Sequence, residues 1–381
     1  MWIIGALAGA GLILLMLADG FETIVQPRRV TRRLRYARLF YRFAWLAWRL
    51  GALRIRSPRL RASYFSSFGP LSLLTLFTTW VGGLIFGFAL LDWSLGTPIQ
   101  IATGRVSFFT YVYLSGTTFF TLGYGDVTPL APLGRTLAVV EAGLGFGFLA
   151  VMISYMPVLS QAFSSRETVI SLMDARAGSP PSAAQFLVRL GRAGGMANVN
   201  AVLAEWERWA ADLLASHLTF PVLSHYRSQH DNQSWLFSLA TILDSCAILL
   251  AGLKTGNSYQ AQLTFAMARH AAVDLALVLY VRPTTGDADR LPQPDLLRLW
   301  AMLREAGLDV QDGTNASAKL TKLRGMYEPF LNALAHRLLM PLPPIVPADA
   351  NAADNWQRSA WMRKTPGIGN LPMTVRDEEH F

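Results

Sequence analysis

The stretch Ser115-Gly116-Thr117-Thr118-Phe119-Phe120-Thr121-Leu122-Gly123-Tyr124-Gly125-Asp126-Val127-Thr128-Pro129 decides how the rest of this chain is read. Gly123 and Gly125 stand at alternating positions around Tyr124. Glycine tolerates backbone dihedrals that other residues avoid, so a nearly straight strand can aim its carbonyl oxygens at an axis here. Thr121 adds a hydroxyl to its carbonyl, and Tyr124 can point away from such an axis and brace the strand with its ring and hydroxyl. Asp126 follows as a carboxylate at the end of the strand.

The surroundings of that stretch are those of a membrane protein. Of 381 residues, 52% are hydrophobic and only 15% charged, which is too apolar for an ordinary soluble enzyme. A helix needs roughly 20 residues to cross the hydrocarbon core. Gly69 to Leu91 carries no charge and meets that length, as does Ala142 to Phe163, while Trp2 to Ala18 continues through the more polar Asp19 to Val25. Val106 to Leu122 is shorter and rich in Thr and Ser, which suits a re-entrant element. The N-terminus lacks a basic leader and a cleavage site, so the first segment reads as a retained helix. The lone Cys246 excludes an intrachain disulfide framework and a cysteine-based zinc site.

The net charge of +9 is unevenly spread. Pro27 to Arg61 contains twelve arginines and no Asp, Glu or Lys, which marks a cytoplasmic linker. The N-terminus is then expected outside, the second span runs outward, the short segment dips in from the outer face, and everything after about Ser164 is cytoplasmic. Arg35, Arg38, Arg42 and Arg49 recur at helical spacing among Leu34, Phe40, Trp45, Leu46 and Trp48. Such a helix belongs in the membrane interface. Its basic face predicts anionic lipid headgroups as partners and not nucleic acid; a topology anchor with no further role fits the same pattern.

Thr118, Thr121, Gly123, Tyr124, Gly125 and Asp126, set between an apolar outer and an apolar inner helix, resemble the T-x-x-T-x-G-Y-G-D signature of the potassium channel superfamily. The resemblance covers roughly Gly69 to Ser164. It implies passive, potassium-selective conduction: carbonyls of Thr121, Leu122, Gly123, Tyr124 and Gly125 replace the hydration shell of the ion, with Asp126 at the outer mouth and Thr118 in support. One loop supplies a quarter of each carbonyl ring, so a homotetramer with cyclic symmetry is implied, and K+ is the permeant ion with no further cofactor. Gly145 and Gly147 of the inner helix are candidate gating hinges; close packing against the pore helix explains such glycines equally well. Two positions depart from the pattern. Leu122 replaces the usual Val or Ile, and Thr117 stands where some bacterial two-helix channels have a Glu paired with the filter aspartate.

The expected architecture is an all-α membrane protein. A transmembrane helix lies in 1–26, an Arg-rich linker with an interfacial helix in 27–61, and a pore domain in 62–163. Within the pore domain the outer helix takes 69–91, the pore helix 106–120, the filter 121–126 and the inner helix 136–163. A helical cytoplasmic domain follows in 164–340, with helices near 182–192, 197–217, 233–253, 258–281, 294–306 and 317–340, then a Pro-rich polar tail in 341–381. Trp235 to Leu253 and Leu263 to Val281 are apolar enough for an extra membrane hairpin, but Asp244, Arg269, His270 and Asp274 favour buried helices of a bundle. His217, His225, His230 and Asp231 could gather as a metal or pH site, with ordinary histidines the better reading. No catalytic constellation stands out, so no enzyme activity is expected. The rival functions are a weakly selective cation channel, which a reversal potential would separate, and a non-conducting sensor or scaffold, which ion flux would exclude.

Overall fold

A computed structural model describes residues 2–25, 35–101, 104–229, 233–254, 258–284, 288–311 and 313–347. The chain is mostly helical and divides into two compact units, Met1–Gln161 and Ala162–Phe381. In the first unit, α1 (Trp2–Ile24) lies along α3 (Pro58–Leu95). Small residues line the contact: Gly9 on α1 faces Gly87 on α3, Gly5 faces Ser94 and Gly83 faces Met16, with the glycines four positions apart on each helix. A methyl group at Gly9 would lie 2.8 Å from the Gly87 carbonyl oxygen and the Leu91 nitrogen, and one at Gly83 2.8 Å from Met16 Cγ. Backbones approach this closely only where side chains are absent, the usual device of helices in lipid.

Helix α2 (Tyr36–Ala52) follows the arginine-rich residues, of which 26–34 lie outside the described segments. Its start is held from another helix. The buried Asp19 carboxylate of α1 accepts hydrogen bonds from the Ala37 amide at 3.0 and 3.2 Å, and from Trp80 Nε1 on α3 at 2.9 Å. Trp45 packs against Phe65 and Phe68, while Trp48 stacks on Tyr64 and donates to the Tyr64 carbonyl at 2.9 Å. The aromatic face therefore docks on α3, and Leu39, Phe43, Leu46 and Leu50 remain exposed.

Three expected boundaries are corrected. The outer helix begins at Pro58, inside the supposed linker, because Ser57 and Pro58 form a good helix start, and it ends at Leu95 where Gly96 takes a left-handed cap (φ 63°). At 38 residues, α3 is about 57 Å long by helical rise, far more than a bilayer core requires, so its first turns are free to receive α2. The inner helix α5 runs from Pro132 to Ala177, well past residue 163, and Pro157 lies inside it without ending it.

In the second unit α8 (Trp235–Gly252) is buried along almost its whole length. It is packed by α6 (Ala183–Arg192), α7 (Val199–Thr219), α9 (Tyr259–Val278), α10 (Gln293–Glu305), α11 (Thr314–Gly325) and α12 (Glu328–Leu338). Although α8 is long and apolar enough to cross a membrane, 89% of that apolar window lies inside the protein; it serves as the core of a bundle. Its one acid, Asp244, is met by Arg290 at 2.7 Å and by Tyr327 Oη at 2.6 Å. The expected single helix over 317–340 is two, because Pro329 offers no amide proton and the chain restarts at Glu328. The start of the tail is also docked: Ile345 and Val346 are buried, and the Pro343 carbonyl accepts from Arg290 at 2.8 Å. Residues 348–381 lie outside the described segments.

Candidate ion-conducting site

The short segment between the spans forms α4 (Phe108–Phe119). Ser107 starts it, with Thr110 Oγ1 accepting from the Ser107 amide at 3.0 Å in a reciprocal cap. The helix ends at Phe120, after which the Thr121 amide reaches the Thr118 carbonyl (3.0 Å) and the Leu122 amide the Thr117 carbonyl (2.8 Å). The negative end of the helix dipole thus falls beside Thr121.

From there the backbone alternates. Thr121, Gly123 and Gly125 have φ of 54°, 57° and 80°, whereas Leu122 and Tyr124 keep ordinary negative φ. A Cβ at Gly123 or Gly125 would meet nothing within 4 Å. What these positions demand is therefore a left-handed backbone and not space. In Thr121 the same conformation carries a cost of roughly 1–2 kcal/mol. The strand is then tied down beyond Asp126: β1 (Ile99–Ile101) pairs antiparallel with β2 (Val127–Pro129), Gln100 opposite Thr128, and the Leu130 amide bonds the Pro98 carbonyl at 2.9 Å.

The side chains expected to matter are not all used as expected. Asp126 accepts from Tyr113 Oη at 2.9 Å, so a tyrosine on the pore helix takes the place of the missing glutamate. Thr117 only bonds back to the Leu114 carbonyl at 2.9 Å, and Thr118 is partly buried with its carbonyl engaged by Thr121. Leu122 and Tyr124 are 52% and 68% exposed within one chain, so Tyr124 finds no bracing there. Gly145 abuts the end of α4, where a Cβ would lie 3.0 Å from the Phe119 carbonyl carbon and closer still to its oxygen, while Gly147 meets nothing within 4 Å. Helix packing thus accounts for Gly145, and α5 is continuously helical at both.

Four contacts escaped the sequence reading. Asp92, at the end of α3, accepts from Thr97 Oγ1 at 3.0 Å, and the Thr97 carbonyl accepts from Tyr111 Oη at 2.8 Å, joining the outer helix to the pore helix. Ser115 of α4 lies within 2.8 Å of the Ile85 carbonyl and also bonds the carboxyl of Glu141 on α5. A lone carboxyl in an apolar span is the signal that could have drawn attention to Glu141. In the second unit His217 and His225 are buried, His230 and Asp231 lie outside the described residues, and no cluster of three or more metal-binding side chains occurs among the described ones.

A long outer helix, a half-length helix ending in a strand of alternating dihedrals, and a long inner helix together make the pore module of an ion channel. Residues 73–159 match a family model described as ion channel, and the chain belongs to the potassium channel superfamily. Protein LctB of Geobacillus stearothermophilus is 35% identical over 91 residues, covering 21% of this chain and 67% of that protein. A probable potassium channel protein 2 of Methanocaldococcus jannaschii is 47% identical over 56 residues, 15% of this chain and 16% of that protein. YdjJ of Bacillus subtilis, described as an uncharacterized membrane protein, is 24% identical over 266 residues, 67% of this chain and 73% of its own length. No solved structure gave a significant match.

Proposed function

We propose that this protein conducts potassium passively and selectively across the cell membrane, as a homotetramer whose filter is built from the backbone of Thr121 to Gly125. The observation that carries the proposal is the alternation of positive φ at Thr121, Gly123 and Gly125 with negative φ between them. Successive peptide planes in such a strand can turn the same way, so carbonyls that would alternate in a β-strand share one side and form stacked oxygen layers. Four strands complete each layer. The large apolar side chains left exposed by one chain, among them Phe109, Leu122, Tyr124, Val139, Phe146 and Ile153, support burial against neighbouring copies and lipid.

Asp126, held by Tyr113, stands at the outer mouth and concentrates cations. The twelve arginines of the linker support an inside location for α2, with the N-terminus outside and the second unit in the cytoplasm. The exposed leucine face of α2 then enters the inner interface, and its arginines meet anionic headgroups. Conduction needs no catalytic group and no cofactor beyond the permeant ion.

The test is purified full-length protein in liposomes with unequal potassium and sodium. A reversal potential near the potassium equilibrium value is expected, and Gly123→Ala, which forces a methyl group onto a left-handed residue, should abolish that selectivity. Equal sodium and potassium permeability in the unsubstituted protein would leave a weakly selective cation channel; no flux at all would leave a sensor or scaffold.

A further inference from the structure

Glu141 is the only acidic residue between Thr136 and Phe163, and it is 2% exposed. It bonds Ser115 Oγ, which is equally buried, and that hydroxyl also lies 2.8 Å from the Ile85 carbonyl of α3. One helical turn further along α5, Gly145 touches Phe119, which is one turn further along α4 from Ser115. Two i,i+4 positions on the inner helix therefore meet two i,i+4 positions on the pore helix, and the second pair ends two residues before Thr121.

The chemistry of the first pair is specific. A serine hydroxyl has one proton, and it is shared here between a carbonyl and a carboxyl oxygen. Both bonds are complete when Ser115 donates to Ile85 and the carboxyl brings its own proton to Ser115 Oγ. A buried carboxyl is costly in a membrane span unless it is bonded in this way. A hydrogen bond where outer, pore and inner helices meet is what an apolar residue at this position could not reproduce.

We propose that Glu141 is a positioning residue for the filter: through Ser115 it fixes the pore helix between α3 and α5, and so sets where the carbonyls after Phe119 stand. The proposal rests on the channel reading above. Two variants separate a hydrogen-bonding role from mere packing. Glu141→Gln keeps the shape and brings an N–H donor to Ser115, whereas Glu141→Met keeps the volume and removes the bond.

In the liposome assay the potassium to sodium permeability ratio of Glu141→Met should fall about tenfold, the scale of one buried hydrogen bond, while Glu141→Gln stays within about twofold of the parent. Ser115→Ala should match Glu141→Met, and the double variant should be no worse than either single one. A parent protein without potassium selectivity would sink the channel reading and this inference with it. A selective parent with unchanged selectivity in Glu141→Met would overturn the inference alone. If Glu141→Met does not fold, Ser115→Ala decides: parental selectivity in that variant equally overturns the role of the pair.

Discussion

Asp19 shows how a residue that looks misplaced is explained by its neighbours. It interrupts an apolar helix, yet it supplies the acceptor for the first turn of α2 and for the buried Trp80 indole. Asp19→Ala would strand two buried donors at roughly 1–3 kcal/mol each, so the melting temperature in detergent should drop clearly, with Asp19→Asn, which keeps one acceptor oxygen, in between; an unchanged melt for the alanine variant would contradict this role. The left-handed backbone at Gly123 and Gly125 was legible because it is a local property and is written into the alternation of the two glycines. The partners of Asp126 and Ser115 were not, since Tyr113 and Glu141 are 13 and 26 residues away and are brought near only by packing. Pattern reading saw Thr117 where a glutamate was looked for and had no means of finding the tyrosine one turn earlier.

At the scale of helices, the spans were legible as uncharged runs, while their lengths were not. A hydropathy reading stops where charge begins, but α3 continues through Arg59 and Arg61, and α5 through Arg166 and Glu167, because a helix persists wherever its new face finds partners. Arg166 is buried in the second unit with Glu167 at 2.9 Å and the carbonyls of Leu223 and Tyr226 at 2.9 and 3.1 Å. The α1 and α3 seam offers a sharper check, since its glycines are needed for space alone. Gly9→Leu should separate the helices, costing about 1–3 kcal/mol or more from overpacking, whereas Gly11→Leu, where nothing lies within 4 Å, should be neutral. Proteolysis or thermal unfolding of the two variants in lipid discs would show it, and equal behaviour would mean that α1 does not depend on this seam.

At the scale of the whole chain, the second unit, Ala162–Phe381, should be the acid-sensitive part. Burial, reinforced by the positive charges of Arg337 and Arg227, pushes the His225 ring down to about 3, and burial beside Arg166 keeps His217 well below its ordinary value of 6.5. Both are neutral when folded and take up a proton once exposed. Between pH 6.5 and the folded values the unfolded chain therefore binds more protons, and stability falls as pH falls. At pH 5.5 the two together should cost about 3 kcal/mol relative to pH 7.5. Glu328 acts in the opposite sense, because burial raises its carboxyl above 4.5. Asp289, held below its ordinary value by Arg324 and the Leu291 amide against the opposing effect of burial, adds to the loss only under stronger acid. Hydrogen exchange of the α7 and α8 amides in the full-length protein should thus quicken on acidification once corrected for intrinsic rates, and His225→Gln should remove about half of that change. Pore flux offers an independent readout on the same samples: acid-induced opening of α7 and α8 amides with unaltered potassium selectivity would locate the effect in the bundle, and corrected exchange that does not vary between pH 7.5 and 5.5 would show that the two buried histidines do not govern its stability.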